Sequence, residues 1–577
     1  MDIQILQVGP IGTNCYLLCD ETEKLCAVVD PGGDAARVAA AVADTGCAPC
    51  AILLTHGHYD HTGGVAELRA KWPDVPVYLN HRDQYEGDAY LQQLFPPVPG
   101  AKDYDEGDTI QVGGLTVDVM ATPGHSEGSV TLRESEADCR VTVELRHGGK
   151  TAAQSCRAVL SGTDFEKEGQ RRHAIARGFF LAARAVTGVT PPWGMLTGVR
   201  PDKPGTWALA DGKTPEEAAA MLEEDYFVTP ERAALALETG STALTASRKL
   251  GPKDIAVYVG IPFCPTRCAY CSFVSQSVER SFALVPPYVD ALIEEIKAGG
   301  KMVREEGLRC RAFYMGGGTP TTLTAEQMDR VLTAFEEAFD LDNCEEITVE
   351  AGRPDTITAE KLAVLKSHGV TRVSVNPQSM EDHVLRAIGR CHTAGDIDRA
   401  MELVAKYGFP HVNMDLIAGL PEDTPEGFRR SLDACLGFGT DNVTVHTLAL
   451  KKGSRILLEG LSIPGPEAVA EMLDYAAPVL RSAGYAPYYL YRQKYMSGSF
   501  ENIGWCRPGG ECWYNIDIMS ELCSILSFGA GGSTKMVEPG TNHIERVFNL
   551  KYPKEYIERP EKGLANQAAF AEFYNKL

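Results

Sequence analysis

Between residues 254 and 450 the chain alternates short apolar, β-like runs with amphipathic helical stretches at a regular interval, and this alternation limits the fold more than any other feature. The β-like runs fall at 256–261, 312–315, 346–350, 372–375, 411–417 and 442–446, with helical patterns such as 287–305 and 325–339 between them. A strand that returns parallel to its predecessor needs a crossover of a dozen or more residues, which a helix supplies. The repeat therefore predicts a parallel α/β architecture, either a doubly wound sheet or an open (β/α)6 barrel. In both, function sits at the C-terminal ends of the strands.

The first strand end carries Cys264, Cys268 and Cys271 in a CxxxCxxC spacing. Three thiolates so spaced can hold one corner of an iron–sulfur cube and leave the fourth iron without a protein ligand. A cluster that only carries electrons normally has four cysteines. A zinc site would also want a fourth ligand nearby, and the next Cys or His is Cys310. The later strand ends suit a nucleotide-like ligand. The second carries Gly316, Gly317, Gly318 and Thr319, where a glycine run lets the backbone approach a ligand closely. Glu350 can bind ribose hydroxyls, Gln378 closes the fourth strand, and Arg390 can hold a carboxylate in bidentate fashion. The fifth strand carries Asp415.

The bulk numbers narrow the rest. At 577 residues the chain exceeds one core. A formal net charge of −23 argues against a broad nucleic-acid or membrane-surface role. The 17 cysteines lack the density of a secreted disulfide scaffold. No signal-peptide pattern opens residues 1–10, and no apolar run approaches the roughly 20 residues that span a bilayer. A reducing cytoplasm, poor in oxygen, is the expected location. Five regions are expected: 1–130, a small α+β unit at 131–205, a helical linker at 206–253, the repeat at 254–450, and a C-terminal capping region at 451–577.

The region 256–450 resembles the radical S-adenosylmethionine superfamily, through CxxxCxxC, the GGGTP segment and the strand-end Glu and Asp. Within it, Tyr258-Val-Gly-Ile-Pro-Phe-Cys264, Gly316-Gly-Gly-Thr-Pro-Thr321, Gln378-Ser and Met414-Asp-Leu-Ile-Ala-Gly-Leu-Pro421 are similar to the oxygen-independent coproporphyrinogen III oxidases. The flanks are similar to one branch, the HemZ-type coproporphyrinogen dehydrogenases. These are Pro192-Trp-Gly-Met-Leu-Thr-Gly-Val-Arg-Pro201, Tyr488-Tyr-Leu-Tyr-Arg-Gln-Lys494, Phe528-Gly-Ala-Gly-Gly-Ser-Thr-Lys535 and Arg546-Val-Phe-Asn549.

The resemblance implies a partial (β/α)6 barrel in which Cys264, Cys268 and Cys271 bind a [4Fe–4S] cluster. Its open iron chelates S-adenosylmethionine. A low-potential donor such as flavodoxin or ferredoxin supplies one electron, and the resulting 5′-deoxyadenosyl radical takes a hydrogen from a propionate. Loss of CO2 and an electron leaves a vinyl group, and two such events convert coproporphyrinogen III to protoporphyrinogen IX. Tyr258, Gly317, Gly318, Thr319, Glu350, Gln378, Arg390 and Asp415 are expected to hold S-adenosylmethionine. Arg200, Arg492, Lys494 and Lys535 are candidates for the substrate carboxylates. The chain departs from the family pattern at Gly260, where a His is usual, and at Phe273, where a fourth Cys is usual. Cys-Ser-Phe at 271–273 also resembles the heme-binding, non-oxidase relatives, so a heme chaperone is the alternative.

Near the N-terminus, Thr55-His-Gly-His-Tyr-Asp-His61 sets imidazoles and a carboxylate in a tight loop after an apolar run. Such ligands suit zinc or iron. With Thr122-Pro-Gly-His125 and Val28-Val-Asp-Pro-Gly-Gly33, this region resembles the metallo-β-lactamase fold. The resemblance implies a zinc or iron site at His56, His58 and His125, with Asp60 and His61 in part of a second. The pattern breaks after residue 130, so a truncated αββα half-domain is expected, with Asp164 the nearest stand-in for a bridging carboxylate. A metallo-hydrolase with a regulatory C-terminal portion is the remaining alternative.

Overall fold

The computed structural model describes residues 2–576 apart from 86–89, 135–137, 272–275, 278–280, 452 and 542. Phe273 lies outside the described residues. The chain divides into two compact units, Met1–Thr190 and Pro191–Leu577.

The first unit is built on two sheets. Strands β1 (Asp2–Val8), β2 (Thr13–Asp20), β3 (Leu25–Val29), β4 (Ala48–Leu53) and β5 (Val77–Tyr78) lie side by side in chain order. A second, antiparallel sheet of β6 (Thr109–Val112), β7 (Leu115–Ala121) and β8 (Val130–Glu134) packs on one face of the first. Alternation along the strands produces this sandwich. Ala27, Val29, Ala51 and Leu53 meet Ile110, Val112, Val117 and Val119 between the sheets. On the other face, Val28 and Ile52 meet Val38, Val42, Val65 and Leu68 of the helices Ala35–Asp44 and Val65–Lys71. One helix layer and two sheets make the metallo-β-lactamase-like half of an αββα sandwich.

Of the segment set apart on sequence at 131–205, residues 138–159 join this sheet, and residues 191–205 belong to the second unit. Strand β9 (Asp138–His147) runs parallel to β1, with Asp2 opposite Arg140, and pairs with β10 (Lys150–Val159). The helix Asp164–Thr187 follows, opened by a capping box in which Thr163 and Glu166 satisfy each other's backbone N–H. Asp164, the stand-in for a bridging carboxylate, is the first residue of that helix.

The second unit resolves the choice between sheet architectures. Strands β11 (Asp254–Ile261), β14 (Arg309–Gly317), β15 (Glu346–Gly352), β16 (Arg372–Gln378), β17 (His411–Ala418) and β18 (Asn442–Thr447) are parallel and adjacent in chain order. A doubly wound sheet reverses its strand order to place helices on both faces. Right-handed crossovers in an unreversed order put every helix on the same face, and the sheet is a partial (β/α)6 barrel. Val257, Phe313, Val349, Val373 and Met414 pack outward in the main core, while Ala256 and Ala312 face a separate tyrosine-rich cluster.

Residues 451–577 extend this sheet at both edges. The antiparallel β19 (Ala486–Tyr491) and β20 (Asn502–Cys506) follow β18, and β21 (Ser524–Phe528), β22 (Ser533–Val537) and β23 (Ile544–Phe548) continue beyond β11. Two short strands, β12 (Phe263–Cys264) and β13 (Gln276–Ser277), pair in parallel above the end of β11. No helix among the described residues is long and apolar enough to cross a membrane.

Candidate functional site

The loop that bears the three cysteines is held from several sides. Gly318 N donates to Ile261 O at 2.8 Å and Thr319 N to Phe263 O at 2.8 Å, which ties the end of β14 to the segment entering Cys264. A side chain at Gly318 would stand 2.5 Å from Phe263 O, and Gly317 has φ +110°. The glycines are thus needed first for protein-to-protein approach. Thr319 Oγ1 lies 3.5 Å from Cys264 Sγ. Farther along, Ala269 N donates to Ile388 O at 2.8 Å, and Arg353 donates to Thr266 Oγ1 at 2.7 Å. Arg353 is buried and paired with Asp355 at 2.8 Å. Sequence reasoning passed over it because it follows a strand end without belonging to any motif.

Cys268 is buried and Cys264 and Cys271 half-buried, and none is in a disulfide. Arg390 is buried beside them. It donates to Asn376 O at 2.5 Å and to Tyr270 Oη at 3.1 Å, and stands against Cys268. Burial works against its charge, but Tyr270 and the Cys268 thiol overcome this and raise its pKa.

Inside the barrel, equivalent inward positions carry one polar layer. Tyr258, Asn376 and His446 are the half-buried residues of otherwise buried strands β11, β16 and β18, and Tyr314, Glu350 and Asp415 occupy the strands between. Tyr314 Oη donates to Glu350 Oε1 at 2.6 Å. Burial, with repulsion from Asp415, pushes the Glu350 carboxyl up to about 7, although the Tyr314 hydrogen bond pulls the other way. Asp415 is equally enclosed, yet His446, Asn413 and Thr444 together outweigh burial and lower its pKa. Asn413 Nδ2 donates to Asp415 Oδ1 at 2.8 Å, and His446 Nε2 lies 3.8 Å from Asp415 Oδ2. Gln378 holds a left-handed backbone, φ +69°, and its buried Oε1 has no partner. A buried acceptor left open marks room for a donor on a ligand. Three thiols beside a guanidinium, above two carboxylates of opposite tendency, fit a [4Fe–4S] cluster with a bound amino-acid nucleoside.

Two substrate candidates meet at one carboxylate, Glu521. Lys535 pairs with Ile525, which pairs with Ala256, so it stands at the register of Ala256, eight residues before Cys264. Arg200 and Lys535 both reach Glu521. Arg492 follows β19 at the same end as the cysteines, where it donates to Leu196 O at 2.5 Å. Lys494 lies two residues beyond Arg492.

In the first unit, ring nitrogens of His56, His58 and His125 lie within 4.8 Å of one another. His56 Nε2 is buried without a partner. Burial and the neighbouring His61 push the His56 imidazole down to about 4, and burial lowers His58 as well. Three converging imidazoles, two of them held down by burial, fit a divalent ion. His61 Nδ1 lies 3.0 Å from Asp30 and its Nε2 3.4 Å from Asp60, which also accepts from Thr13 at 3.0 Å. The two residues expected in a second site therefore face each other and other side chains. Asp83, unmarked in the sequence, organises the first site. It is buried and accepts from Gly57 N at 2.9 Å, Ser126 Oγ at 2.6 Å and Gly128 N at 2.8 Å, pinning both histidine loops.

Comparison with known proteins finds a family match over each of the two regions that carry these residues. The radical SAM superfamily model matches residues 258–435, and the metallo-beta-lactamase superfamily model matches residues 8–140. The chain is 38% identical to the oxygen-independent coproporphyrinogen-III oxidase-like protein HemZ of Bacillus subtilis (strain 168), over 75% of this chain and 88% of that protein. It is 30% identical to the heme chaperone HemW of Mycobacterium tuberculosis (strain ATCC 25618 / H37Rv), over 53% of this chain and 74% of that one. Among solved structures, coproporphyrinogen III oxidase (HemN) from Escherichia coli matches at 24% identity and TM-score 0.44, over 56% of this chain and 72% of that one. On the extent of the HemZ match, the chain belongs to the oxygen-independent coproporphyrinogen-III oxidase-like family of radical SAM proteins, with a metallo-β-lactamase-like region in front.

Proposed function

We propose that the chain oxidatively decarboxylates the propionates of coproporphyrinogen III to vinyl groups, giving protoporphyrinogen IX in heme biosynthesis. The observation that carries this reading is the meeting of the three-cysteine loop with the polar layer at one end of the barrel, in a member of this family. When bound, the [4Fe–4S] cluster and S-adenosylmethionine supply one-electron cleavage of a sulfonium and removal of a hydrogen atom. Each propionate, having given up a hydrogen atom, would then lose CO2 and pass one electron to a one-electron acceptor, leaving a vinyl group, and this happens twice per substrate. The protein's own work is positioning. Cys264, Cys268 and Cys271 are the cluster ligands. Arg390 compensates thiolate charge, Gln378 Oε1 accepts from the bound nucleoside, and Glu350 and Asp415 are set for its ribose and amino groups. Tyr258 faces the bound nucleoside from the same polar layer, and Tyr314 holds the Glu350 carboxyl in place. The reaction belongs in a reducing cytoplasm with a flavodoxin- or ferredoxin-like donor.

In the first unit, His56, His58 and His125 form a single zinc or iron site. With Asp60 and His61 engaged elsewhere, it serves as a metal-binding module.

The similarity to heme chaperones HemW supports a second reading, a heme carrier that keeps the cluster without the oxidase reaction. Anaerobic reconstitution, followed by assay with coproporphyrinogen III, S-adenosylmethionine and a low-potential reductant, separates them. The expected products are protoporphyrinogen IX, CO2 and 5′-deoxyadenosine. 5′-Deoxyadenosine without CO2 rejects the substrate, and neither product, with stoichiometric heme binding, favours the carrier.

A further inference from the structure

Four cations converge on one carboxylate in the second unit. Glu521 Oε1 lies 3.1 Å from Arg200, 3.1 Å from Arg546 and 3.7 Å from Lys535, and its Oε2 lies 2.9 Å from Lys203. Asp202, buried beside Arg200, is the other acidic group bearing on the set, so four cations face two carboxylates. The crowding is felt. Burial and the adjacent Arg200 push Lys535 down to about 8. Glu521 itself holds a left-handed backbone, φ +57°, that a non-glycine residue adopts at a cost.

Capping explains only half of this cluster. Arg200 donates to Met519 O and Lys535 to Ile518 O, at the C-terminus of the helix Trp513–Ser520, where cations are favoured. Lys203 and Arg546 make no such bond, and their side chains stay 30% and 43% exposed. Flat apolar surface adjoins them. Lys203 Nζ lies 5.9 Å from the ring centre of Trp207, and Phe548 shares a strand face with Arg546 and, across β22, with Lys535. Trp207 is 49% and Phe548 58% exposed. Tyr514, at the other end of the same helix, stacks on Tyr314 with ring centres 4.5 Å apart and on Tyr258 at 6.1 Å. Seven residues of helix put Glu521 about 10 Å along from Tyr514.

We propose that Arg200, Lys203, Lys535 and Arg546, around Glu521, form the recognition site for the carboxylates that the tetrapyrrole substrate does not present to the reactive end of the barrel. This rests on the decarboxylase reading. Lys203 and Arg546 bind propionates directly, Arg200 and Lys535 hold the positive field, and Glu521 is the internal counter-ion that a substrate carboxylate displaces. Trp207 and Phe548 cover the macrocycle's apolar face.

The probe is coproporphyrin III, the stable four-carboxylate macrocycle, titrated by fluorescence into the anaerobically reconstituted full chain beside the two-carboxylate mesoporphyrin. The double variant Lys203→Gln/Arg546→Gln should weaken coproporphyrin binding ten-fold or more and mesoporphyrin binding far less. Glu521→Gln should tighten coproporphyrin binding, a change of sign that a purely structural cluster cannot give. Lys203→Arg should retain affinity. Unchanged binding in the double variant, equal loss for both porphyrins, or weaker binding in Glu521→Gln overturns the site. Charge-dependent coproporphyrin binding without CO2 release would instead sink the decarboxylase reading and keep the site.

Discussion

Tyr314 and Glu350 share a 2.6 Å hydrogen bond between adjacent strands of the barrel, and it is the point where the polar layer meets the tyrosine-rich cluster. The phenol fixes the carboxyl, while stacking of Tyr314 on Tyr514 fixes the phenol. The layer is thus rigid before any ligand arrives, which lowers the ordering cost of binding.

Glu350 should make the second unit less stable as pH rises. Its carboxyl sits at about 7 in the folded chain, above the ordinary 4.5. Between those values the unfolded chain has released the proton and the folded chain has not, so stability falls with rising pH across that window. Glu350→Gln should therefore raise the unfolding midpoint of the cofactor-free protein at pH 8 and leave it nearly unchanged at pH 4. An equal shift at both pH values would show that burial does not hold the carboxyl up.

Much of the barrel was legible because its strands announce themselves locally. Each apolar run, and the polar residue at its end, is a matter of a few neighbouring positions. Tyr258, Glu350 and Asp415 could be read that way. The strands β21 to β23 could not, since nothing local says that residues 524–528 pair with β11. The same holds for side chains whose partners are remote. Arg200 and Met519 are 319 positions apart, and Trp193 reaches Glu501 across 308. In the first unit the histidine motif named its ligands, but Asp83 became visible only when folding brought Gly57 and Gly128 to it.

Asp83 should control metal affinity without touching metal. Asp83→Ala leaves buried N–H groups of Gly57 and Gly128 unpaired, each worth about 1–3 kcal/mol. Both histidine loops then loosen, and zinc affinity should fall roughly ten-fold or more, the range seen when supporting partners of metal ligands are lost. Chelator competition on the full chain measures this. Affinity within two-fold of the parent would mean that the loops hold themselves.

Zinc should also stay bound in mild acid. The His56 imidazole is pushed down to about 4, so protons compete weakly for it at pH 5. An ordinary histidine, near 6.5, would already be mostly protonated there. Equilibrium dialysis at pH 7 and pH 5 should show a smaller loss of zinc affinity than three ordinary imidazoles would give, because burial lowers both His56 and His58, and His56→Ala should lose the ion at both. Complete release by pH 6 in the parent would contradict the burial argument.

Gly318 should be required for the iron–sulfur cluster although it ligates nothing. A methyl group there would stand 2.5 Å from Phe263 O and 2.9 Å from Phe263 N, both backbone atoms of the strand that delivers Cys264. No rotamer relieves a clash with backbone, so that strand must move. Displacing Cys264 relative to Cys268 and Cys271 spoils the three-thiol geometry, and Gly318→Ala should carry at most half the parent's iron and sulfide after reconstitution. Gly395→Ala supplies the control. It lies in the helix Ala394–Tyr407, where the nearest atom to a new methyl is the end of the Arg399 side chain at 3.6 Å. That substitution should leave iron content unchanged, and equal iron in both variants would separate the cluster from the packing of Gly318 against Phe263.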